Sequence, residues 1–210
     1  MQTLQANGVS VSYGKHASGP PLVLVHGAFS DHGTNWEFVL PFFEKCFTVT
    51  PWLAAGVARP RQPRATPWKT DAVAVIQAID EPVFMLGHSY GAHVALAAAA
   101  LVPDMVRKLV VYEPAYPFGH GIMHRLTTFA QAGDWENFTY FFFHDALSVP
   151  AGDLDELRTQ GLWAPMAADA AASFGDLRAL SRYDFQAERF RALRMPVLVQ
   201  MAPTVPVICT

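Results

Sequence analysis

Between the apolar run Pro82-Val83-Phe84-Met85-Leu86 and the alanine-rich stretch Ala92 to Leu101 lies the pentapeptide Gly87-His88-Ser89-Tyr90-Gly91. No other segment constrains the fold of this chain as tightly. The continuous apolar run predicts a strand buried on both faces, and the alanines predict a helix. A strand that passes directly into a helix must bend sharply, so the residues flanking the bend must be small. In that context Gly-x-Ser-x-Gly is a nucleophile elbow. It holds a serine Oγ exposed at a helix N-terminus, beside a backbone N–H that can stabilise an oxyanion.

Such a turn needs a large core beneath it. The chain has 210 residues, 51% hydrophobic and 16% charged, which suits one domain or one domain with an insertion. Its net charge of −3, with no basic run, gives no indication of a nucleic acid or an anionic membrane partner. The longest apolar stretch, Ala92 to Val102, is too short to span a bilayer. Met1-Gln2-Thr3-Leu4-Gln5 lacks the charged and apolar regions of a signal peptide. With Cys46 and Cys209 as the two cysteines, no disulfide framework forms, and a cytoplasmic location is expected. No cofactor is expected, and no zinc-like ligand cluster is visible.

The rest of the chain reads as strands alternating with helices. Leu4 to Tyr13 alternates around Asn7-Gly8, a hairpin signal. Pro21 to Val25 is a buried strand ending in His26-Gly27-Ala28-Phe29, Trp36 to Phe43 a short helix, and Cys46 to Thr50 a strand. Asp71 to Ile79 has helical spacing, Val106 to Tyr112 is a strand ending in Glu113-Pro114, and Pro196 to Gln200 is the last strand. The alternation predicts an α/β fold, a mainly parallel sheet with helices on both faces. Between Tyr116 and Arg194 the pattern turns helical, over Gly121–Gly133, Asp153–Gly161 and Ala164–Leu180. An all-helical insertion between strands is expected to form a cap over the strand ends, or else an ordinary covering bundle. The expected division is a core of 1–115 and 195–210 with a helical cap of 116–194.

On His26-Gly27, Trp36, the elbow at Ser89 and Glu113-Pro114, the chain resembles the α/β-hydrolase superfamily, specifically its small cap-bearing esterase, lactonase and peroxidase-like members. The resemblance runs from Val9 to Gln200. It implies Ser89 as nucleophile, the N–H groups of Ala28 and Tyr90 as oxyanion donors, and a histidine base oriented by an acid. His26 is expected to brace the oxyanion loop, His88 to pack away from the nucleophile, and His93 to be a core residue. His32 is a solvated loop residue or borders the pocket. His120, His124 and His144 are surface positions or substrate contacts in the cap. Trp135, Phe141, Phe142, Phe143, Trp163 and Met166 line an acyl pocket or simply pack.

Two departures from the family pattern carry weight. The family places its acid after the strand at Pro196–Gln200 and its histidine in a later loop, past another strand. None of the eight histidines lies beyond His144, and Met201 to Pro206 contains no carboxylate. The last strand and helix are therefore expected to be missing, and the chain to be truncated or frame-shifted at its C-terminus. Glu113 is a fallback acid, since some members carry the acid at the end of that earlier strand. The second departure lies between Thr50 and Asp71, where a Pro-rich segment replaces a glycine-rich turn resembling Asp-x-Arg-Gly-x-Gly-x-Ser. Residues 51–69 and 201–210 are either genuinely divergent or out of frame. With GC-rich codons chosen for it and one offset, Trp52 to Pro60 can read Met-Ala-Arg-Arg-Gly-Arg-Gly-Glu-Thr. The same offset can give Met201 to Cys209 as Gly-Thr-Asp-Ser-Pro-Arg-Asp-Leu-Tyr, which would restore an aspartate.

The expected function is hydrolysis of an ester-like or other small acyl substrate through a Ser89 acyl-enzyme. Because the histidine and acid are absent, the activity of this chain is in doubt. The rival expectation is a pseudoenzyme, an inactive fragment or a small-ligand binder that keeps the fold. Ester, lactone, C–C and perhydrolase chemistry use the same elbow and are not separated by sequence. Haloalkane dehalogenation needs a carboxylate where Ser89 stands. An edge strand without its neighbour is also expected to drive self-association.

Overall fold

The computed structural model describes residues 2–6, 9–13, 18–31, 34–53 and 68–201. Among these residues seven strands form one sheet: β1 (Gln2–Ala6), β2 (Val9–Tyr13), β3 (Pro21–Val25), β4 (Thr48–Leu53), β5 (Val83–His88), β6 (Val106–Tyr112) and β7 (Val197–Gln200). Their order is β1-β2-β4-β3-β5-β6-β7. The five from β4 to β7 run parallel, while β1 and β2 pair antiparallel with one another and β2 antiparallel with β4. The predicted hairpin is present with Leu4 opposite Val11; its turn residues Asn7 and Gly8 lie outside the described residues.

Alternation along β3 sends side chains to two cores. Val23 and Val25 join Met85, Leu109 and Val111 beneath two helices, α2 (Trp68–Ile79) and α3 (Tyr90–Leu101). Leu22 and Leu24 face the other way, onto Trp36, Val49 and Phe84. Burying one such side chain contributes up to about 1.5–3 kcal/mol, so a strand covered on both faces anchors the sheet. The alanines of α3 let that helix approach closely. A Cβ on Gly87 would lie only 2.8 Å from the Cβ of Ala95.

The helix expected over 36–43 is shorter than its periodicity suggests. Only α1 (Leu40–Phe43) is α-helical, entered by a turn in which Leu40 N–H donates to Trp36 C=O at 2.8 Å. Pro41 is the physical reason, because proline fits the first turn of a helix and not its interior.

The chain divides into two compact units, one of residues up to Ala115 with Asp184–Met201, the other including Tyr116–Tyr183. The second boundary thus falls at 183/184, earlier in sequence than 194/195. Leu193 and Met195 pack on the core formed by the sheet, α2 and α3, which explains why the segment belongs there.

The second unit contains α4 (His120–Ala132), α5 (Trp135–Phe141), α6 (Ala151–Thr159) and α7 (Trp163–Ser181). Gly133, at φ 70°, ends α4, and Asp134 caps α5 by accepting from Asn137 N–H at 3.2 Å. Phe138, Leu126, Leu154, Ala170 and Leu180 are fully buried within this unit. Of the aromatic residues weighed as pocket lining, Trp135 packs edge-on against Phe138, Phe141 lies beside Phe129, and Phe142 and Trp163 are buried. A single π-helical stretch, Phe142–Ala146, follows α5.

Candidate active site

Beyond β3 the chain turns to β4 on one side, and beyond β5 to β6 on the other. The crevice between the ends of β3 and β5 is therefore a topological switch point, where open α/β sheets take their ligands. The elbow and the His26–Phe29 loop both emerge there, with Val25 opposite Gly87 in the register.

Ser89 sits at φ 54° and ψ −121°, as the N-cap of α3. A non-glycine residue in such a conformation costs on the order of 1–3 kcal/mol and persists only where its surroundings hold it. Those surroundings are visible. Ser89 N–H donates to Tyr112 C=O at 3.0 Å, and Ser89 C=O accepts from Ala92 N–H at 3.0 Å and Ala115 N–H at 3.4 Å. A side chain on Gly91 would collide with the carbonyl oxygens of Val25 and His26, so only glycine lets the helix start against β3. Tyr90 is the first residue of α3, where N–H groups have no intrahelical partner.

The loop after β3 reaches the elbow at Gly27. A Cβ built there would lie 3.0 Å from Ser89 Cβ and 3.2 Å from His88 Nδ1. His26 is buried, and its Nδ1 donates to Gly27 C=O at 2.8 Å. The Gly27–Ala28 peptide is trans, so gripping its carbonyl directs Ala28 N–H the opposite way. Among the described residues Ala28 N–H has no backbone acceptor. The next residue, Phe29, is buried at φ 58°.

Two of the histidines set aside as packing residues hold defined positions. His88 donates from Nδ1 to Asn35 Oδ1 at 3.0 Å, stacks on Tyr112 and meets the edge of Trp36. Burial pushes its pKa below the usual histidine value, and the negative charge of Glu113 partly opposes that. His93 donates from Nε2 to Ala115 C=O at 2.5 Å; burial again lowers its pKa, opposed by that hydrogen bond. Glu113, at φ 46°, follows β6 and donates its N–H to Gln200 C=O at 2.9 Å. Its charge acts on His88.

No described histidine is hydrogen-bonded to Ser89 Oγ. His32 and most of the two segments weighed as out of frame, residues 54–67 of 51–69 and 202–210 of 201–210, lie outside the described residues. In the helical unit, His120 and His124 are exposed and stacked, and His144 Nδ1 donates to Val149 C=O at 2.9 Å. Among the described residues no three metal-ligating side chains converge, and no helix is long and apolar enough to cross a membrane.

Sequence reasoning missed Asn35. Its Oδ1 accepts from Gly27 N–H at 3.3 Å, Ser30 Oγ at 2.8 Å and His88 Nδ1. An asparagine in a loop carries no local signal of that role, since His88 is 53 residues away.

Comparison with known proteins bears on the family and the fold. A model of the alpha/beta hydrolase family matches residues 22–207. Lipase LipV of Mycobacterium tuberculosis is 36% identical over 104 residues, which cover 47% of this chain and 39% of the lipase. The pimeloyl-[acyl-carrier protein] methyl ester esterase of Methylococcus capsulatus is 34% identical over 109 residues, covering 47% and 42%. The matched stretch therefore spans less than half the length of either relative. Among solved structures, an alpha/beta hydrolase from Sphaerobacter thermophilus superposes with a TM-score of 0.79 at 25% identity, over 95% of this chain and 81% of that one. The enol-lactonase of Burkholderia xenovorans shares the fold, with a TM-score of 0.74 at 16% identity over 94% and 80%. The chain belongs to the α/β-hydrolase family.

Proposed function

We propose that Ser89 is the nucleophile of an acyl hydrolase, acting on an ester-like or other small acyl substrate through a covalent acyl-enzyme. The observation that carries this reading is the strained backbone of Ser89 at the start of α3, held against a loop whose Gly27 nearly touches it. As Ser89 Oγ bonds to the substrate carbonyl carbon its proton passes to water, from which the leaving group later takes one up. The carbonyl oxygen takes the negative charge, held by the Ala28 and Tyr90 amides. Collapse expels the protonated leaving group, and water then cleaves the acyl–serine ester. The names of the two relatives, a lipase and a methyl ester esterase, support acyl chemistry without choosing a substrate.

General acid–base catalysis contributes roughly 10²–10⁴ in rate, and no described histidine holds the Ser89 proton. Turnover by this chain is therefore expected to be slow. The same observation favours the second reading, a ligand-binding chain with an inert serine. Hydrolysis of a short p-nitrophenyl ester by the native chain and by Ser89→Ala separates the two. The account expects a low activity that Ser89→Ala removes. Equal rates in the two proteins overturn it.

A further inference from the structure

We propose that Asn35 is a positioning residue for the oxyanion loop, tying Gly27 and Ser30 to the elbow histidine His88 through one carbonyl oxygen. The proposal rests on the reading of Ser89 as nucleophile and Ala28 as oxyanion donor. Its geometry is unambiguous in one respect: a backbone N–H can only donate, so the Asn35 atom facing Gly27 N–H is the oxygen, and the amide is not flipped. His88 Nδ1 must then carry its hydrogen, which sets the neutral ring as the Nδ1–H tautomer. Ser30 has one hydroxyl hydrogen and three oxygens near it: Asn35 Oδ1 at 2.8 Å, Gly27 C=O at 3.2 Å and Ala28 C=O at 3.5 Å. The shortest contact leads to Asn35.

The need for a tether follows from the residue at the centre. Gly27 has no side chain at a point where a Cβ would lie 3.0 Å from Ser89 Cβ and 3.2 Å from His88 Nδ1. That same absence leaves its backbone torsions soft, so the two peptides that meet at Gly27 can rotate at low cost. Asn35 grips the first through Gly27 N–H, and His26 grips the second through Gly27 C=O. With both held, the planar 27–28 peptide has one orientation, and Ala28 N–H is aimed before any substrate arrives. His88 joins the tether to the strand that carries Ser89, so donor and nucleophile are fixed to each other across 53 positions of sequence.

The test compares the rate at which a fluorophosphonate labels Ser89 in the native chain and in Asn35→Ala, with imidazole ¹⁵N shifts of His88 read in parallel. The account expects Asn35→Ala to label at least about tenfold more slowly, part of the roughly 10²–10³ that a lost oxyanion donor costs. It expects His88 as Nδ1–H in the native chain, and an upward shift of its titration in Asn35→Asp, where a carboxylate replaces the amide. A native His88 in the Nε2–H form overturns the proposal, a result that needs no variant to fold. So does labelling of Asn35→Ala at the native rate. If the native chain does not label at all, the Ser89 reading fails and the proposal falls with it.

Discussion

At the scale of single residues, the site depends on backbone conformations that side chains resist. Ser89, Phe29 and Glu113 each have positive φ, and each lies just past the end of a parallel strand. Strain of that kind is held by hydrogen bonds and by close glycine contacts, which Gly91 supplies against β3. Asp176, buried in α7, is a different sort of cost. Burial first, and the nearby Asp169 charge second, raise its carboxyl pKa well above the usual aspartate value, and Oδ1 has no partner. The folded group therefore holds a proton that the unfolded chain releases above about pH 4. Its contribution to stability is fully present below that pH and is lost as pH rises through the folded pKa. Asp176→Asn, neutral at every pH, is expected to melt at a higher temperature than the native chain near neutrality and at a similar one near pH 4. An unchanged or lower melting temperature at neutral pH contradicts this. His88 and His93 act in the opposite sense: their lowered values make stability full above the usual histidine pKa and reduce it as pH falls below.

At the scale of elements, one sequence pattern has two outcomes. Pro21-Leu22-Val23-Leu24-Val25 and Val197-Leu198-Val199 are both continuous apolar runs that read as strands. In β3 every residue is buried, whereas in β7 Leu198 is 58% and Val199 57% exposed. A single row across the sheet, Thr50-Val23-Met85-Leu109-Val197, stays buried until its last member, at 38%. Periodicity reports that a strand is apolar, while its rank in the sheet is set by pairings remote in sequence. Among the described residues β7 pairs only with β6, which leaves an apolar edge of the kind that recruits a further strand. Self-association is expected: sedimentation velocity should show a mass rising with concentration, reduced by Leu198→Lys. A concentration-independent monomer contradicts it.

At the scale of the whole molecule, the strands, most helices and the elbow are legible because each is written in contiguous residues. Helix α5 was not, since Trp135 to Phe141 is short and its neighbours Phe142 and Phe143 blur its helical face. Of the candidate site, the elbow at Ser89 and Tyr90 is legible because strand, turn and helix announce it locally, whereas the part given to Ala28 comes from the family resemblance. Asn35 was not legible, because its significance exists only where the loop after β3 meets the end of β5. The site's central claim is that Ser89 is an activated nucleophile. Treating the native chain with a fluorophosphonate and mapping the adduct by mass spectrometry tests it directly. The account predicts slow, single-site labelling at Ser89, absent from Ser89→Ala; no adduct, or an adduct elsewhere that survives that substitution, contradicts it.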